Sequence, residues 1–147
     1  MKTSVKLGAN AEGVSHSRSN VRIRDLEFAI DEPVARGGTN SGPTPTDAAL
    51  AALAGCTNVI GNKCADALGV DIGKLSIDIA CEFDRRGVTL VEEIDVPFVK
   101  IVQTVVAHGR ANTEELARVA SEVARFCPLS KLFEKAGTEL STTWSKA

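Results

Sequence analysis

The sequence lacks an excess of positive charge and any long apolar run. Its 147 residues contain 17 Lys and Arg against 19 Asp and Glu, which gives a formal net charge of -2. A chain with this balance has no basic field to attract phosphate backbones or an anionic membrane. No apolar run approaches the roughly 18 residues that span a bilayer, and the N-terminus lacks the apolar core of a secretory signal. We therefore expect a cytoplasmic protein with no nucleic-acid or membrane partner.

Cysteine is also scarce, with four residues in the chain. This number is too small for a disulfide scaffold, and without a secretory signal we expect mostly reduced thiols. No two cysteines form a CxxC pair, and the two histidines, His16 and His108, are far apart in sequence. The pattern therefore predicts no metal site, and nothing in it indicates a bound cofactor.

A length of 147 residues with no linker or repeat predicts a single domain over residues 1–147, and hydrophobic periodicity runs along nearly the whole chain. Two or three short antiparallel strands come first, followed by a Gly- and Pro-rich ordered loop at 33–46. A clean alternation of apolar and polar residues predicts a strand from Leu75 to Phe83, and a Val- and Ile-rich strand follows from Ile94 to Ala107. Pro97 within that second strand indicates an edge or a bulge.

The longest helix is predicted over residues 46–68, which are rich in Ala and Leu and contain no Pro. Thr44 or Thr46 can cap its first free amides, and Gly69 is placed to end it. The first half of this helix is apolar nearly all round. Such a helix is buried on most sides, which in a chain of this size indicates a central helix or one packed against a second subunit.

Two further helices and a last strand complete the pattern. Thr113 is placed to cap a helix over residues 114–126. Pro128 opens a short helix that Gly137 closes, and residues 138–144 are predicted to form a strand. The order of strands, long helix, two strands, two helices and a strand predicts an α+β fold rather than a regularly alternating one.

Two of the four cysteines have surroundings that favour chemistry. Cys127 sits at the N-cap of the short helix, where free amides and the helix dipole can lower the pKa of a thiol. Cys56 lies deep in the long helix after two small residues, which permit close approach of another element or of a ligand. For Cys64 and Cys81 we expect burial as small hydrophobic side chains. On spacing alone, packing stays open as an alternative for all four.

Two separated motifs surround these candidate cysteines. The first is the Gly-rich loop, then Pro45 and the acidic Asp47, then an Ala/Leu helix that reaches Gly55 and Cys56. The second is Cys-Pro-x-Ser, at residues 127–130. In order and setting the two motifs resemble the OsmC/Ohr family of osmotically inducible and organic-hydroperoxide-resistance proteins, and the resemblance covers essentially the whole chain.

The resemblance implies a fold, an assembly and a chemistry. The fold is OsmC-like, with antiparallel sheets around a long buried central helix, in an intertwined homodimer whose two active sites form between subunits. In the implied chemistry, Cys56 attacks an organic hydroperoxide as a thiolate and becomes a sulfenic acid. Cys127 then resolves the sulfenic acid as an intramolecular disulfide, and a dithiol reductant restores both thiols.

The resemblance also implies an arginine beside the peroxidatic thiolate, commonly held by a glutamate at the start of the cysteine helix. Arg18 is the first candidate for that arginine, with Arg22 and Arg24 as alternatives. Ten positions before the first motif's cysteine, where the hydroperoxide-resistance branch has its glutamate, this chain has Thr46. Asp47 matches an acidic position of the broader OsmC-like branch, and we expect it to support Arg18.

This departure from the family pattern leaves more than one function open. The leading hypothesis is a thiol-dependent peroxidase for organic hydroperoxides, from a divergent OsmC-like branch. The alternative is a non-catalytic module that binds a small apolar or thiol ligand between its central helices, or senses redox state. A third possibility is a purely structural dimer whose buried cysteines are inert.

Overall fold

Three strands, β1 (Asn10–Gly13), β2 (Ser19–Ile23) and β3 (Leu26–Ile30), form an antiparallel meander at the start of the chain. The computed structural model describes all 147 residues, and its backbone divides into two compact units, residues 1–51 and 52–147. The meander belongs to the first unit. The sequence predicts two or three antiparallel strands in this segment, and the structure has three.

The Gly- and Pro-rich segment is an ordered loop that contains one short 3-10 turn, Val34–Arg36, before helix α1 (Pro45–Leu68). The Thr44 hydroxyl accepts a hydrogen bond from the backbone N–H of Asp47 at 3.1 Å, so Thr44 rather than Thr46 caps the helix. Gly69 follows the last turn with φ of 68°, a left-handed conformation that ends helices and suits glycine.

Helix α1 is buried along one side. Its buried residues recur every three or four positions: Leu53, Thr57, Gly61, Cys64 and Ala65. The opposite side is exposed, and the Val59 side chain keeps 52% of its surface in contact with solvent. Burial on most sides, which the sequence indicates, is therefore not achieved within one chain.

The second sheet consists of β4 (Leu75–Phe83), β5 (Phe98–Ala107) and β6 (Glu139–Lys146), with β5 in the centre. β4 pairs antiparallel to β5, whereas β6 runs parallel to it, so this sheet is mixed. The alternation predicted for β4 is confirmed, because its odd-numbered residues face inward and its even-numbered residues are exposed.

Of the two alternatives that Pro97 indicates, an edge or a bulge, the edge is wrong because β5 is the central strand of its sheet. The strand begins at Phe98 and not at Ile94 as predicted, so Pro97 lies outside it and its missing N–H removes no bond from the ladder. The Pro97 carbonyl still accepts a hydrogen bond from the Asp84 N–H at 2.8 Å. The expected irregularity is present opposite the proline, as a shift of register between Glu82 and Phe83.

Helices α2 (Thr113–Phe126) and α3 (Pro128–Lys135) pack against β6. The cap of α2 is Asn112 and not Thr113: its side chain accepts the N–H of Glu115, whose carboxylate accepts the N–H of Asn112 in return. This reciprocal pair satisfies two donors at once, which a threonine one residue later does not achieve. No helix in the chain combines the length and apolar character needed to cross a bilayer.

Candidate functional site

Helix α1 places Cys56 on the side that faces the rest of the second unit. The neighbouring Thr57 is fully buried, and its hydroxyl lies 2.9 Å from both the Leu53 carbonyl and the side-chain oxygen of Gln103 on β5. The Gln103 amide in turn donates to the Thr142 hydroxyl on β6 at 3.2 Å. A polar bridge buried in this way ties the cysteine-bearing turn of α1 to the sheet.

Cys127 lies at the junction of the last two helices. It is both the C-cap of α2, with its N–H bonded to the Val123 carbonyl at 2.8 Å, and the N-cap of α3, as the sequence predicts. Two edge-on aromatic contacts fix α3 beside the sheet: Phe133 packs on Phe98 at 5.3 Å between ring centroids, and Phe98 packs on Phe83 at 5.1 Å. The position of Cys127 is thus set by packed, rigid elements.

The two cysteines meet, although 71 residues separate them in sequence. The Cys127 thiol donates to the sulfur of Cys56 across 3.4 Å, and all four cysteines of the chain are free thiols. The Cys127 side chain is fully buried, whereas Cys56 is partly exposed. The arrangement therefore has one thiol open to solvent and a second thiol directly behind it.

The surroundings of Cys56 affect its ionisation in both directions. Burial raises the pKa of the Cys56 thiol above its ordinary value, and a negative charge on Cys127 would raise it further. The backbone N–H of Leu129 donates to the Cys56 sulfur and lowers the pKa. Two thiolates at this separation repel, so the two cysteines do not both carry a negative charge. Of the two cysteines, Cys56 is the more exposed to solvent, and its sulfur is the one that accepts hydrogen bonds.

The N-terminal unit contains Arg18, whose guanidinium is bound by neutral oxygens. It donates to the side chain of Asn20 at 3.1 Å and to the Ser41 hydroxyl at 3.2 Å, and it forms no ion pair. Of the two alternatives, Arg22 is paired with Glu27 at 3.3 Å, and Arg24 occupies a tight turn with φ of 56°. Among the three, Arg18 is thus the one that is held by hydrogen bonds while its charge stays uncompensated.

Neither Thr46 nor Asp47, at the start of α1, forms an ion pair with an arginine within the chain. The Thr46 hydroxyl lies 3.1 Å from the hydroxyl of Thr44 and so belongs to the cap of the helix. The Asp47 carboxylate makes no hydrogen bond or ion pair within the chain, although its backbone N–H is capped. Support of Arg18 by Asp47 therefore stays a prediction.

A buried carboxylate that sequence reasoning missed organises the loop beside Arg18. The Asp31 side chain is fully buried and accepts hydrogen bonds from Ser17, from the backbone and hydroxyl of Thr39, and from the backbone of Ser41. The same Ser41 offers its hydroxyl to Arg18. These bonds hold the pKa of Asp31 far below its usual value. Its place just before a Gly-rich loop was the available signal.

The other two cysteines, Cys64 and Cys81, make no hydrogen bond to Cys56 or Cys127. Cys64 is buried and Cys81 half-buried, and burial raises the pKa of both thiols. Cys64 lines an apolar cavity of about 280 Å³ between α1 and α2, with Phe126 and Glu122 on its other wall. No three His, Cys, Asp or Glu side chains cluster closely enough to hold a metal ion.

Comparison with known proteins places these observations in a family. The sequence model described as "OsmC-like protein" matches residues 38–143, more than half of the chain. No curated protein sequence matches this chain. Among solved structures, the chain is similar to an OsmC-like protein from Mycoplasma pneumoniae, with 18% identity, a TM-score of 0.82 and coverage of 99% of each chain.

Other solved structures to which the chain is similar carry the name organic hydroperoxide resistance protein. The one from Legionella pneumophila has 18% identity and a TM-score of 0.68, with coverage of 99% of each chain. The one from Elizabethkingia anophelis has 19% identity and a TM-score of 0.69, with coverage of 100% of each chain. At these identities the likeness shows a shared fold.

Proposed function

The chain belongs to the OsmC-like protein family, and from that premise we propose that it is a thiol-dependent peroxidase that reduces organic hydroperoxides. The observation that carries the proposal is the 3.4 Å separation of the Cys56 and Cys127 sulfurs. A peroxidatic thiol needs solvent access, and a resolving thiol needs to stand next to it; the partly exposed Cys56 and the buried Cys127 meet these requirements.

The first step is attack by the Cys56 thiolate on the terminal oxygen of the hydroperoxide. An S–O bond forms, the O–O bond breaks, and the departing alkoxide takes a proton to leave as an alcohol. Cys56 becomes a sulfenic acid. The peroxide is thereby reduced by two electrons that the sulfur supplies.

In the second step Cys127 attacks the sulfur of the sulfenic acid and expels water. The sulfurs must approach from 3.4 Å to the roughly 2.05 Å of a disulfide, so the pair starts within about 1.4 Å of bonding distance. An external dithiol then reduces the disulfide by exchange and is itself oxidised. Hydroperoxide and dithiol thus become alcohol, water and the oxidised dithiol.

Arg18 is proposed as the cation that stabilises the thiolate and the departing oxygen, with Asp47 as its acidic support. The argument for Arg18 over its neighbours is its uncompensated charge and its attachment to Asn20 and Ser41. A fixed cation of this kind favours a reaction in which negative charge moves from sulfur to oxygen.

We also propose that the working form is a homodimer, whose second copy covers the exposed side of α1. That side presents the small or apolar residues Ala52, Gly55 and Val59 at helical spacing, and a Cβ at Gly55 would meet open space. An apolar helix face left in water favours association. The exposed Val5 and Leu7 near the N-terminus give a second apolar segment that such a partner could cover.

Stopped-flow consumption of cumene hydroperoxide, with a dithiol present in excess, tests the peroxidase proposal. Cys56→Ser is expected to abolish turnover and Arg18→Ala to slow the peroxide step by about 100- to 1000-fold, the range for lost electrostatic stabilisation. Cys81→Ser and Arg24→Ala are the matched controls and should react like the wild type. Turnover by Cys56→Ser at the wild-type rate would overturn the proposal.

A second candidate function is that of a non-catalytic binding module, and the apolar cavity of about 280 Å³ beside Cys64 favours it. A binding module would show negligible turnover together with saturable binding. Titration with 8-anilinonaphthalene-1-sulfonate measures that binding, and Ala67→Trp, which places a large ring at the cavity wall, should abolish it. Fast turnover without saturable binding of the dye would exclude this candidate.

A further inference from the structure

The Asp31 carboxylate is fully buried and forms no ion pair, so hydrogen bonds alone balance its charge. Five donors point at it: the hydroxyls of Ser17 and Thr39, and the backbone N–H groups of Glu32, Thr39 and Ser41. A carboxylate that accepts several such bonds stays ionised, because each bond favours the charged form. An ionised carboxylate can only accept hydrogen bonds.

This charge fixes the direction of a chain of hydrogen bonds between Asp31 and Arg18. The Thr39 hydroxyl donates its single proton to Asp31 at 2.6 Å, so it can only accept from the Ser41 hydroxyl, 2.7 Å away. The Ser41 hydroxyl therefore donates to Thr39 and accepts from the Arg18 guanidinium at 3.2 Å. Every proton in the chain points from the cation towards the carboxylate, and hydrogen bonds aligned in this way strengthen one another.

A second contact joins the same carboxylate to the backbone beside Arg18. Ser17 directly precedes Arg18, and its hydroxyl donates to the other carboxylate oxygen of Asp31 at 3.1 Å. The guanidinium itself is bound at two nitrogens, at Nε by Asn20 and at Nη1 by Ser41, and its Nη2 makes no hydrogen bond within the chain. A bidentate ion pair with a carboxylate would occupy two of these nitrogens, whereas the hydroxyl chain occupies one.

We propose that Asp31 is the positioning residue for Arg18: its carboxylate holds the guanidinium in place through the hydroxyls of Thr39 and Ser41 and leaves Nη2 free for a reacting anion. This rests on the proposed function in taking Arg18 as the cation of the reaction. A cation that is fixed beforehand stabilises developing charge without reorganising at the moment of reaction. A free arginine side chain would first have to lose its rotamer freedom.

The direct measurement is the rate at which the Arg18 guanidinium rotates about its Nε–Cζ bond. It is read by NMR from the exchange broadening of the two Nη nitrogens in arginine-labelled protein, and Arg18→Lys assigns the signals. Ser41→Ala removes the last hydroxyl of the chain and is expected to speed the rotation about tenfold, since hydrogen bonds to charged groups are among the stronger ones.

Thr39→Val is the decisive variant, because it interrupts the chain between Asp31 and Ser41 and leaves the Ser41 hydroxyl beside Arg18. It is expected to speed the rotation as well, and Thr39→Ser, which keeps the hydroxyl, should restore the wild-type rate. Ser19→Ala removes a hydroxyl of β2 that lies outside the chain and is the matched control. An unchanged rotation rate in folded Thr39→Val overturns the proposal, whether or not Asp31→Asn folds.

A kinetic measurement separates positioning of Arg18 from a general effect on the fold. Thr39→Val is expected to slow the reaction with cumene hydroperoxide about tenfold when Arg18 is present and to have no further effect in Arg18→Ala, because residues that act through one group are not additive. Equal slowing in both backgrounds overturns the proposal. The rotation rate requires no turnover, so the positioning of Arg18 by Asp31 can fail in an active peroxidase and hold in a protein that proves inactive.

Discussion

The sulfur of Cys127 lies 3.4 Å from the sulfur of Cys56 and donates its proton to it. One cysteine is in the middle of a long helix, and the other caps a short helix 71 residues later. Their meeting depends on the whole second unit, because α1 is anchored to β5 and α3 is packed on the same sheet through Phe133.

Cys127→Ser separates the two chemical steps. Cys56 should still react with cumene hydroperoxide, but its sulfenic acid should persist because no thiol stands behind it to form the disulfide. Dimedone labelling of Cys56, read by mass spectrometry, should therefore be strong in Cys127→Ser and weak in the wild type. Cys81→Ser, a half-buried cysteine on β4, is the control and should label as weakly as the wild type. Equal labelling of wild type and Cys127→Ser would show that Cys127 does not resolve the sulfenic acid.

Gln103 is expected to matter for stability more than any exposed polar residue on the sheet. It is nearly fully buried and bridges Thr57 and Thr142, so Gln103→Ala removes two hydrogen bonds between elements of the second unit. The expected loss is about 1–3 kcal/mol in the free energy of unfolding. Urea denaturation measures this loss. Thr143→Ala, at an exposed position of β6, is the control and should change the free energy by less than about 0.5 kcal/mol. A neutral Gln103→Ala would mean that the bridge does not anchor α1.

Asp31 should make stability fall at acid pH. Its native pKa lies well below its value of about 3.9 in the unfolded chain, because Thr39 and Ser41 donate to the carboxylate. A lowered native pKa contributes stability that is complete above the unfolded value and is lost as the pH falls towards the native one. Denaturation between pH 6 and pH 2.5 should show this loss in the wild type and a smaller one in Asp31→Asn. Asp78→Asn, at an exposed position of β4, should keep the wild-type profile, and an identical profile for Asp31→Asn would contradict the assignment.

Much of the fold can be predicted from the sequence because it rests on local signals. The alternation from Leu75 to Phe83 gives β4 with its boundaries, and the long Ala/Leu run gives α1 to within one residue. Pro97 does not make β5 an edge strand, because a proline just outside a ladder removes no hydrogen bond, but the bulge expected as the alternative is present opposite it. The parallel pairing of β6 with β5 depends on long-range packing and has no local signature.

The candidate site, like the fold, is predicted from the sequence only in part. The resemblance identifies Cys56 and Cys127 as a couple, but only the structure shows that their sulfurs lie side by side. The contribution of the Leu129 N–H could not be predicted, because every residue except proline has a backbone N–H and the sequence does not show which one faces Cys56. Gln103 could have been noticed as the one amide in a Val- and Ile-rich strand, which is a costly place for an unpaired polar group.

The exposed side of α1 predicts association. Val59→Arg places a charge in the middle of that side and is expected to convert a dimer into a monomer, because an unpaired charge is costly to bury. Size-exclusion chromatography with light scattering measures the mass in each case. Leu132→Arg, at an exposed apolar position on α3, is the matched control and should stay dimeric. A wild-type protein that is monomeric at micromolar concentration would contradict the proposed assembly.

The central claim is that Cys56 and Cys127 form a redox couple, and a single-turnover thiol count tests it most directly. One equivalent of cumene hydroperoxide is added to the fully reduced protein, and the remaining thiols are alkylated and mapped by mass spectrometry. The account predicts that two of the four thiols disappear and that one peptide pair, linked through Cys56 and Cys127, is recovered. Four thiols still free after the peroxide is added, or a disulfide that involves Cys64 or Cys81, would contradict it.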